Sequence, residues 1–313
     1  MRSILSFADI SVEEFLPLLD RAAEFKRQIL AGEEIHLVDD KLIGILFEKP
    51  STRTRASFEA AVMRLGGRSM YLSAAELQLS RGEPIKDTAR VLGKYMNAIV
   101  ARVYANDTVV QLAQFSGVPV INALSDLEHP TQLVSDMLTI REAKGKIAGL
   151  NIAFIGAGNN MANTLLLASA TAGANITIAC PEGYEPNQGV LTKATEIAKG
   201  STGSKIRITH SPDDAAKGAD VLYTDVWVSM GEEKEAGARM AAFKGYEIDG
   251  RLLALARPDA VVMHCLPAHR GLEITDEVLE GKQSIVWQQA ENKLYGAAAC
   301  LDLALNGSVK KEQ

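Results

Sequence analysis

Residues 42–67 read LIGILFEKPSTRTRASFEAAVMRLGG, and this stretch decides the fold. Leu42, Ile43, Gly44, Ile45, Leu46 and Phe47 form a short apolar run of the kind that makes a buried strand. Pro50 and Ser51 then open a helix with Ser51 as a good N-cap. Phe58, Ala61, Val62 and Leu65 fall at i, i+3, i+4 and i+7 on one apolar face. Gly66 and Gly67 end it. The first turn breaks a local rule. The positive end of a helix dipole favours acids, yet Arg53 and Arg55 stand there. Two guanidinium forks, the hydroxyls of Thr52 and Thr54 and free backbone N–H groups become sensible around a phosphate dianion. The alternative is two solvated arginines on an exposed turn.

Outward from this stretch, strands and helices alternate. Residues 68–84 read as a strand leading into a loop with Gly82 and Pro84; a helix Ile85–Met96, a strand Ala98–Tyr104, a helix Asp107–Phe115 and a strand Val118–Asn122 follow. That order implies a mostly parallel sheet with helices on both faces. Upstream, Ser11 and Glu14 have capping-box spacing before Phe15, Leu18, Leu19 and Ala22, with Pro17 inside the same helix. Arg102 interrupts an apolar strand, where an unpaired buried charge costs several kcal/mol. It therefore sits at the exposed C-terminal end of the strand, binds an anion, or makes an internal salt bridge. In an open α/β sheet the first two places coincide. Residues 123–132, ALSDLEHPTQ, form a loop that ends in a helix start. His129 and Gln132 flank that start and can both donate to a carbonyl oxygen, although a lone histidine is readily structural.

Residues 144–150, KGKIAGL, mark a domain junction, and a second α/β unit begins with a strand Asn151–Ile155. Gly156-x-Gly158 after that strand begins a dinucleotide fingerprint. The fit is poor: Met161 replaces the third glycine, and the next strand, Asn175–Ala179, ends in Cys180 and Pro181, with Glu182 the nearest acid for a ribose. Asn159 and Asn160 are either capping residues or groups that recognise an amino acid. Residues 182–218, with a helix near 189–199, carry no legible chemistry. A strand Asp220–Tyr223 leads to Asp225 and Ser229, which suit a cationic amine, and Glu232 to Glu235 read as a solvated face. His264 and Cys265 lie in a run Ala260–Leu266, with His269 beyond Pro267, but their spacing is irregular for zinc and no fourth ligand is evident. Cys265 is either a buried structural thiol or a site residue. A final helix from Asn292 has Leu294, Ala297, Ala298, Leu301 and Leu305 on its apolar face.

At 313 residues the chain is expected to form two domains. A net charge of −6 argues against nonspecific nucleic-acid binding, so any anion site must concentrate positive charge locally. No apolar stretch approaches the ~20 residues of a membrane span. Asp9, Glu13 and Glu14 after a single Arg2 are unlike a signal peptide, and a cytoplasmic location is the expectation. Cys180, Cys265 and Cys300 are odd in number and far apart, as expected of reduced thiols.

FEKPSTRTRASFEAA at 47–61 resembles the carbamoyl-phosphate signature of the carbamoyltransferase superfamily, and HPTQ at 129–132 resembles its second signature. With DVWVSMG at 225–231 and HCLPAHRG at 264–271, these occur in the order found in ornithine carbamoyltransferases, and the resemblance covers essentially the whole chain. It implies two doubly wound α/β domains, each with a mainly parallel central sheet flanked by helices. Residues 1–144 would bind carbamoyl phosphate, with the helix at 290–313 packing back on them, and 145–289 would bind ornithine. It further implies phosphate ligands Ser51, Thr52, Arg53 and Thr54, with Arg55 more structural, and Arg102, His129 and Gln132 at the carbamoyl end. Asn160, Asp225, Ser229 and Met230 would hold the amino-acid part of ornithine, and Cys265 with the Leu266 carbonyl would face its side-chain amine. Gln78 matches a residue that reaches the neighbouring subunit's carbamoyl-phosphate site, which implies a homotrimer with shared sites, open to further assembly. Lys293, a phosphate contact by the same resemblance, departs from the arginine usual in the segment AENKLY, keeping the charge but losing the fork and so weakening or rearranging that contact. The implied reaction is direct attack of the ornithine amine on carbamoyl phosphate, giving citrulline and phosphate, with closure of the two domains and no metal or organic cofactor. Putrescine or an N-acylated ornithine remains an alternative acceptor, aspartate would call for more basic residues, and a dehydrogenase or a silent phosphate-binding module is the rival from another class.

Overall fold

Ser11 and Glu14 form the expected capping box at the head of α1 (Val12–Leu30), which carries Pro17 and buries Phe15, Leu18, Leu19, Ala22 and Phe25. The chain then builds β1 (Leu42–Phe47), α2 (Thr52–Arg64), β2 (Arg68–Ser73), α3 (Ile85–Tyr95), β3 (Ala98–Arg102), α4 (Asn106–Ser116), β4 (Val120–Leu124) and α5 (Pro130–Lys144). The computed structural model describes residues 1–228, 231 and 233–307. Its backbone divides into two units, Met1–Leu138 together with the chain from Glu291 onward, and Thr139–Ala290.

In the first unit β1–β4 form a parallel sheet ordered β2-β1-β3-β4. Strands β3 and β4 are buried at every position, as parallel strands covered on both faces must be. The order reverses direction between β1 and β3. In such a sheet the crevice beyond the strand C-termini at that point is where ligands bind. Phe47 pairs with Arg102 in register, and the Glu48 N–H donates to the Arg102 carbonyl at 2.8 Å, so the ends of β1 and β3 are level. Helix α2 ends as its glycines predict: Gly66 has φ +91°, and a Cβ there would meet Asp39 Oδ1 at 2.0 Å.

The second unit contains β5 (Asn151–Ile155), α6 (Asn160–Ala172), β6 (Asn175–Ala179), α7 (Gln188–Ile197), β7 (Ile206–Thr209), α8 (Pro212–Ala216) and β8 (Val221–Thr224). Three short helices, α9 (Ala236–Ala242), α10 (Gly250–Leu253) and α11 (Asp276–Leu279), with β9 (Val261–His264) before α11, complete it up to α12 (Val286–Asn306). All five strands are parallel, in the order β7-β6-β5-β8-β9, so this sheet reverses between β5 and β8. Helix α12 begins six residues before the position read from sequence. Val286 and Gln289 are both buried there, and Gln289 is used as a hydrogen-bonding group, which apolar periodicity does not register. Among the described residues no helix is long and apolar enough to cross a membrane.

Candidate active site

In the first unit the expected residues gather at the C-terminal edge of the sheet. Ser51 caps α2, its Oγ accepting the Thr54 N–H at 3.3 Å and leaving the first N–H groups of the helix to a ligand. Thr54 is buried, while Thr52 is exposed and Arg53 half-exposed. Arg53 and Arg55 have different surroundings. Arg55 is committed within the protein, its guanidinium 3.6 Å from the Tyr71 ring centroid and its Nε 3.0 Å from Glu59 Oε1. Arg53 makes no ion pair with any described residue.

Arg102 is the last residue of β3, yet it is only 6% exposed. His129 precedes α5 directly, and Gln132 lies in its first turn; both are buried. Burial first, then the charges of Lys293 and Arg102, hold the His129 imidazole well below its usual pKa. His129 is therefore a neutral donor at neutral pH. Lys293, on α12, is also buried and donates to Gln132 Oε1, while Gln132 Nε2 donates to Asp136 Oδ1 at 2.8 Å. These two bonds fix the orientation of the Gln132 amide and leave its second hydrogen available. Gln78 is exposed, in a turn at Gln78–Arg81.

The second unit has a different constellation at the equivalent edge. Asn159, not Asn160, caps α6: its Oδ1 accepts from Met161 N at 2.9 Å and Ala162 N at 3.2 Å, and its Nδ2 donates to Asp225 Oδ2 at 2.9 Å. Of the two roles that the sequence left open, Asn159 takes the capping one, and its amide nitrogen is bound to Asp225. Asn160 is the half-exposed first residue of the helix. Asp225 accepts a second bond, from the Cys265 thiol to Oδ1, at 3.0 Å. Ser229, Met230 and Glu232 lie outside the described residues.

Leu266, after Cys265, has φ +60°, a left-handed conformation that costs a branched residue about 1 kcal/mol or more. His264 holds it there. Its Nδ1 accepts the Leu266 N–H at 2.8 Å, so Nε2 carries the proton and donates to Glu273 Oε1 at 3.0 Å. Both His264 and Glu273 are fully buried. Sequence reading did not single out this pair, which fixes the backbone of Cys265 and Leu266. The Asp225, His264 and Cys265 donor atoms lie within 4.8 Å of one another, but both imidazole nitrogens are already engaged and the other two groups bond each other. The cluster does not present a ready set of metal ligands.

The glycine turn after β5 is filled by protein. The Gly158 N–H donates to the Tyr184 carbonyl at 2.8 Å, and a Cβ on Gly158 would stand 2.2 Å from Pro186 N and 2.3 Å from the Glu185 carbonyl carbon. In a dinucleotide fold this glycine admits the pyrophosphate. Here it admits another stretch of the same chain.

Residues 2–142 match the family model described as aspartate/ornithine carbamoyltransferase, carbamoyl-P binding domain, and residues 148–304 match that of the Asp/Orn binding domain. The ornithine carbamoyltransferase of Methanosarcina mazei is 50% identical over 300 residues, 96% of this chain and 98% of the relative. The ornithine carbamoyltransferase structure from Pyrococcus furiosus aligns with a TM-score of 0.94 at 46% identity, covering 98% of this chain and 97% of that one. The anabolic ornithine carbamoyltransferase structure from Campylobacter jejuni gives 0.92 at 41%, covering 98% and 100%.

Proposed function

The chain belongs to the aspartate/ornithine carbamoyltransferase family, and we propose from that premise that it transfers the carbamoyl group of carbamoyl phosphate to the side-chain amine of L-ornithine, forming L-citrulline and phosphate in arginine biosynthesis. The observation that carries this reading is one sheet edge with an open helix N-terminus, an arginine without an acidic partner, and a buried Arg102–His129–Lys293 cluster. A phosphate dianion joined to a polar carbonyl matches that arrangement.

Residues 1–144, with the C-terminal helix, form the donor domain, and residues 145–289 form the acceptor domain. Ser51, Thr52, Arg53 and Thr54 hold the phosphate, and Arg55 braces the helix through Tyr71 and Glu59. The uncharged δ-amine attacks the carbamoyl carbon, and negative charge builds on the carbonyl oxygen. Arg102, neutral His129 and Thr54 donate to it as an oxyanion hole does. The bond to the phosphate oxygen then breaks, the electron pair leaves with the phosphate, and the departing phosphate takes the proton shed by the amine. Gln132 positions the carbamoyl amide, and Lys293 acts by orienting Gln132. In the acceptor domain, Asp225, Asn160, Ser229 and Met230 receive the amino-acid end, while Cys265 and the Leu266 carbonyl face the reacting amine. An acidic group and a carbonyl suit an ammonium-bearing acceptor and disfavour aspartate.

Three copies share their donor sites, Gln78 of each entering the neighbour's. Support comes from the exposure of Gln78 and of two large apolar side chains, Met70, 44% exposed on the edge strand β2, and Met63, 72% exposed on α2. Free thiols at Cys180, Cys265 and Cys300 support a reducing, cytoplasmic setting.

The test is product formation from carbamoyl phosphate with ornithine, putrescine, N-acetylornithine and aspartate offered separately. Citrulline from ornithine, with little product from the others, is expected. Turnover with another amine alone would overturn the acceptor assignment. Light scattering should give three times the 33.7 kDa chain mass.

A further inference from the structure

We propose that Glu128 is a positioning residue of the donor site, and that the N-terminal segment Ser3–Phe7 is, through it, a working part of that site. This inference rests on the donor-site reading above.

Glu128 is 3% exposed and lies far from the N-terminal segment in sequence, yet that segment supplies two donors to its carboxylate. Ser6 Oγ–H donates to Oε1 at 2.7 Å and Phe7 N–H to Oε2 at 2.8 Å. The segment is fixed independently of Glu128. Ile4 N–H donates to the Val120 carbonyl and Asn122 N–H to the Ile4 carbonyl, both at 2.8 Å, and Asn122 Nδ2 donates to the Leu5 carbonyl at 2.8 Å. Phe7 is wholly buried, its ring centroid 6.2 Å from that of Phe15. On the other side of Glu128, the turn from Ser125 is closed by the Ser125 N–H on the Glu128 carbonyl at 2.9 Å and by the Leu127 and Glu128 N–H groups on Ser125 Oγ at 3.3 Å. The next residue is His129, and α5 starts at the one after. The backbone that carries His129 is thus held between a tight turn, a helix start and two hydrogen bonds from the N-terminal segment.

Burial, reinforced by the nearby Asp9 charge, pushes the Glu128 carboxyl up against the opposing pull of the Phe7 and Ser6 donors. An apolar residue at this place would avoid that cost, so a buried carboxylate here breaks the local rule for stability. Its purpose is geometric. A shift of about 1 Å at a catalytic donor can lower turnover about a hundredfold.

The experiment compares full-length wild type with Glu128→Gln and Ser6→Ala. Citrulline formation is followed while each substrate is varied in turn, with thermal unfolding in parallel. Glu128→Gln keeps the shape but turns an amide N–H₂ toward a donor. It is expected to raise KM for carbamoyl phosphate about tenfold and to lower kcat, with KM for ornithine within about twofold of wild type. Ser6→Ala removes one of the two donors and should move the same parameter about threefold in the same direction. A wild-type KM for carbamoyl phosphate in Glu128→Gln would overturn the proposal, whether or not the melting temperature falls. If that variant fails to fold, unchanged kinetics in Ser6→Ala would overturn it instead. Absence of citrulline from wild type would count against the transferase reading alone. The positioning role would then be read from carbamoyl-phosphate affinity by calorimetry, expected about tenfold weaker in Glu128→Gln, and equal affinities would overturn it.

Discussion

The N-terminus of α2 and the N-terminus of α6 occupy the same place in their two sheets, each following the strand beside the reversal of strand order, yet they are finished in opposite ways. On α2 the cap is a serine that takes up one N–H, and the positive end of the helix is left open with Arg53 in its first turn, at the sheet edge where β3 ends in Arg102 and His129 precedes α5. On α6 the cap is an asparagine whose carbonyl takes up two N–H groups and whose amide turns outward to an aspartate. In the function proposed above, one edge receives an anion and the other an amine. The common architecture puts a ligand at the strand ends, and the cap residue with its neighbours decides the sign of charge it receives.

That contrast can be broken first at Arg102. Replacing it with alanine should lower kcat by about 10²- to 10³-fold, as loss of an oxyanion donor does, while KM for ornithine stays near wild type in steady-state kinetics. A parallel loss of ornithine affinity would mean the two edges are not chemically separate. The complementary change, Asp225→Asn, should raise KM for ornithine about 10- to 100-fold, the value of a charged hydrogen bond, and spare carbamoyl phosphate.

A smaller effect comes from pH. Because the folded His129 resists protonation, the unfolded chain takes up a proton below pH ~6.5 that the native state refuses. Its contribution to stability is complete above that pH and is lost as pH falls toward the depressed native value, at about 1.4 kcal/mol per unit. Urea unfolding at pH 7.5 and 5.5 should show this loss, and His129→Asn should reduce it by one proton's worth. The smallest expected effect is that of Asn159→Ala. Loss of the cap should cost about 1 kcal/mol and lower the melting temperature by about 2–4 °C in calorimetry, with a modest rise in KM for ornithine.

Legibility in the sequence followed the same contrast. The donor edge announced itself through violations that need no tertiary knowledge, arginines at a helix start and an arginine in an apolar strand, and the elements around them fell close to their expected bounds. The acceptor edge offered no such violation. Asn159 could be read as a cap or as a ligand group because an amide both donates and accepts, and only the fold shows its oxygen on the helix and its nitrogen on Asp225. Glu273 belongs to no motif, and only the fold brings it against His264. Ser6 and Glu128 are likewise joined by topology alone. Residues 182–218 carried no chemistry to read, and yet Glu185 and Pro186 settle what the glycine turn can hold.

That filled turn has a consequence for how tolerance to change should be interpreted. Any side chain at position 158 must displace backbone of residues 185 and 186, and no rotamer relieves the overlap. A scan of all substitutions would therefore mark Gly158 as intolerant as a reactive residue, although it contacts neither substrate in the scheme above. Glycine intolerance after a first strand ordinarily suggests a nucleotide. In this chain it reports a plug, and an engineer wishing to install a phosphate site there would have to remove residues 185 and 186 before any glycine could serve.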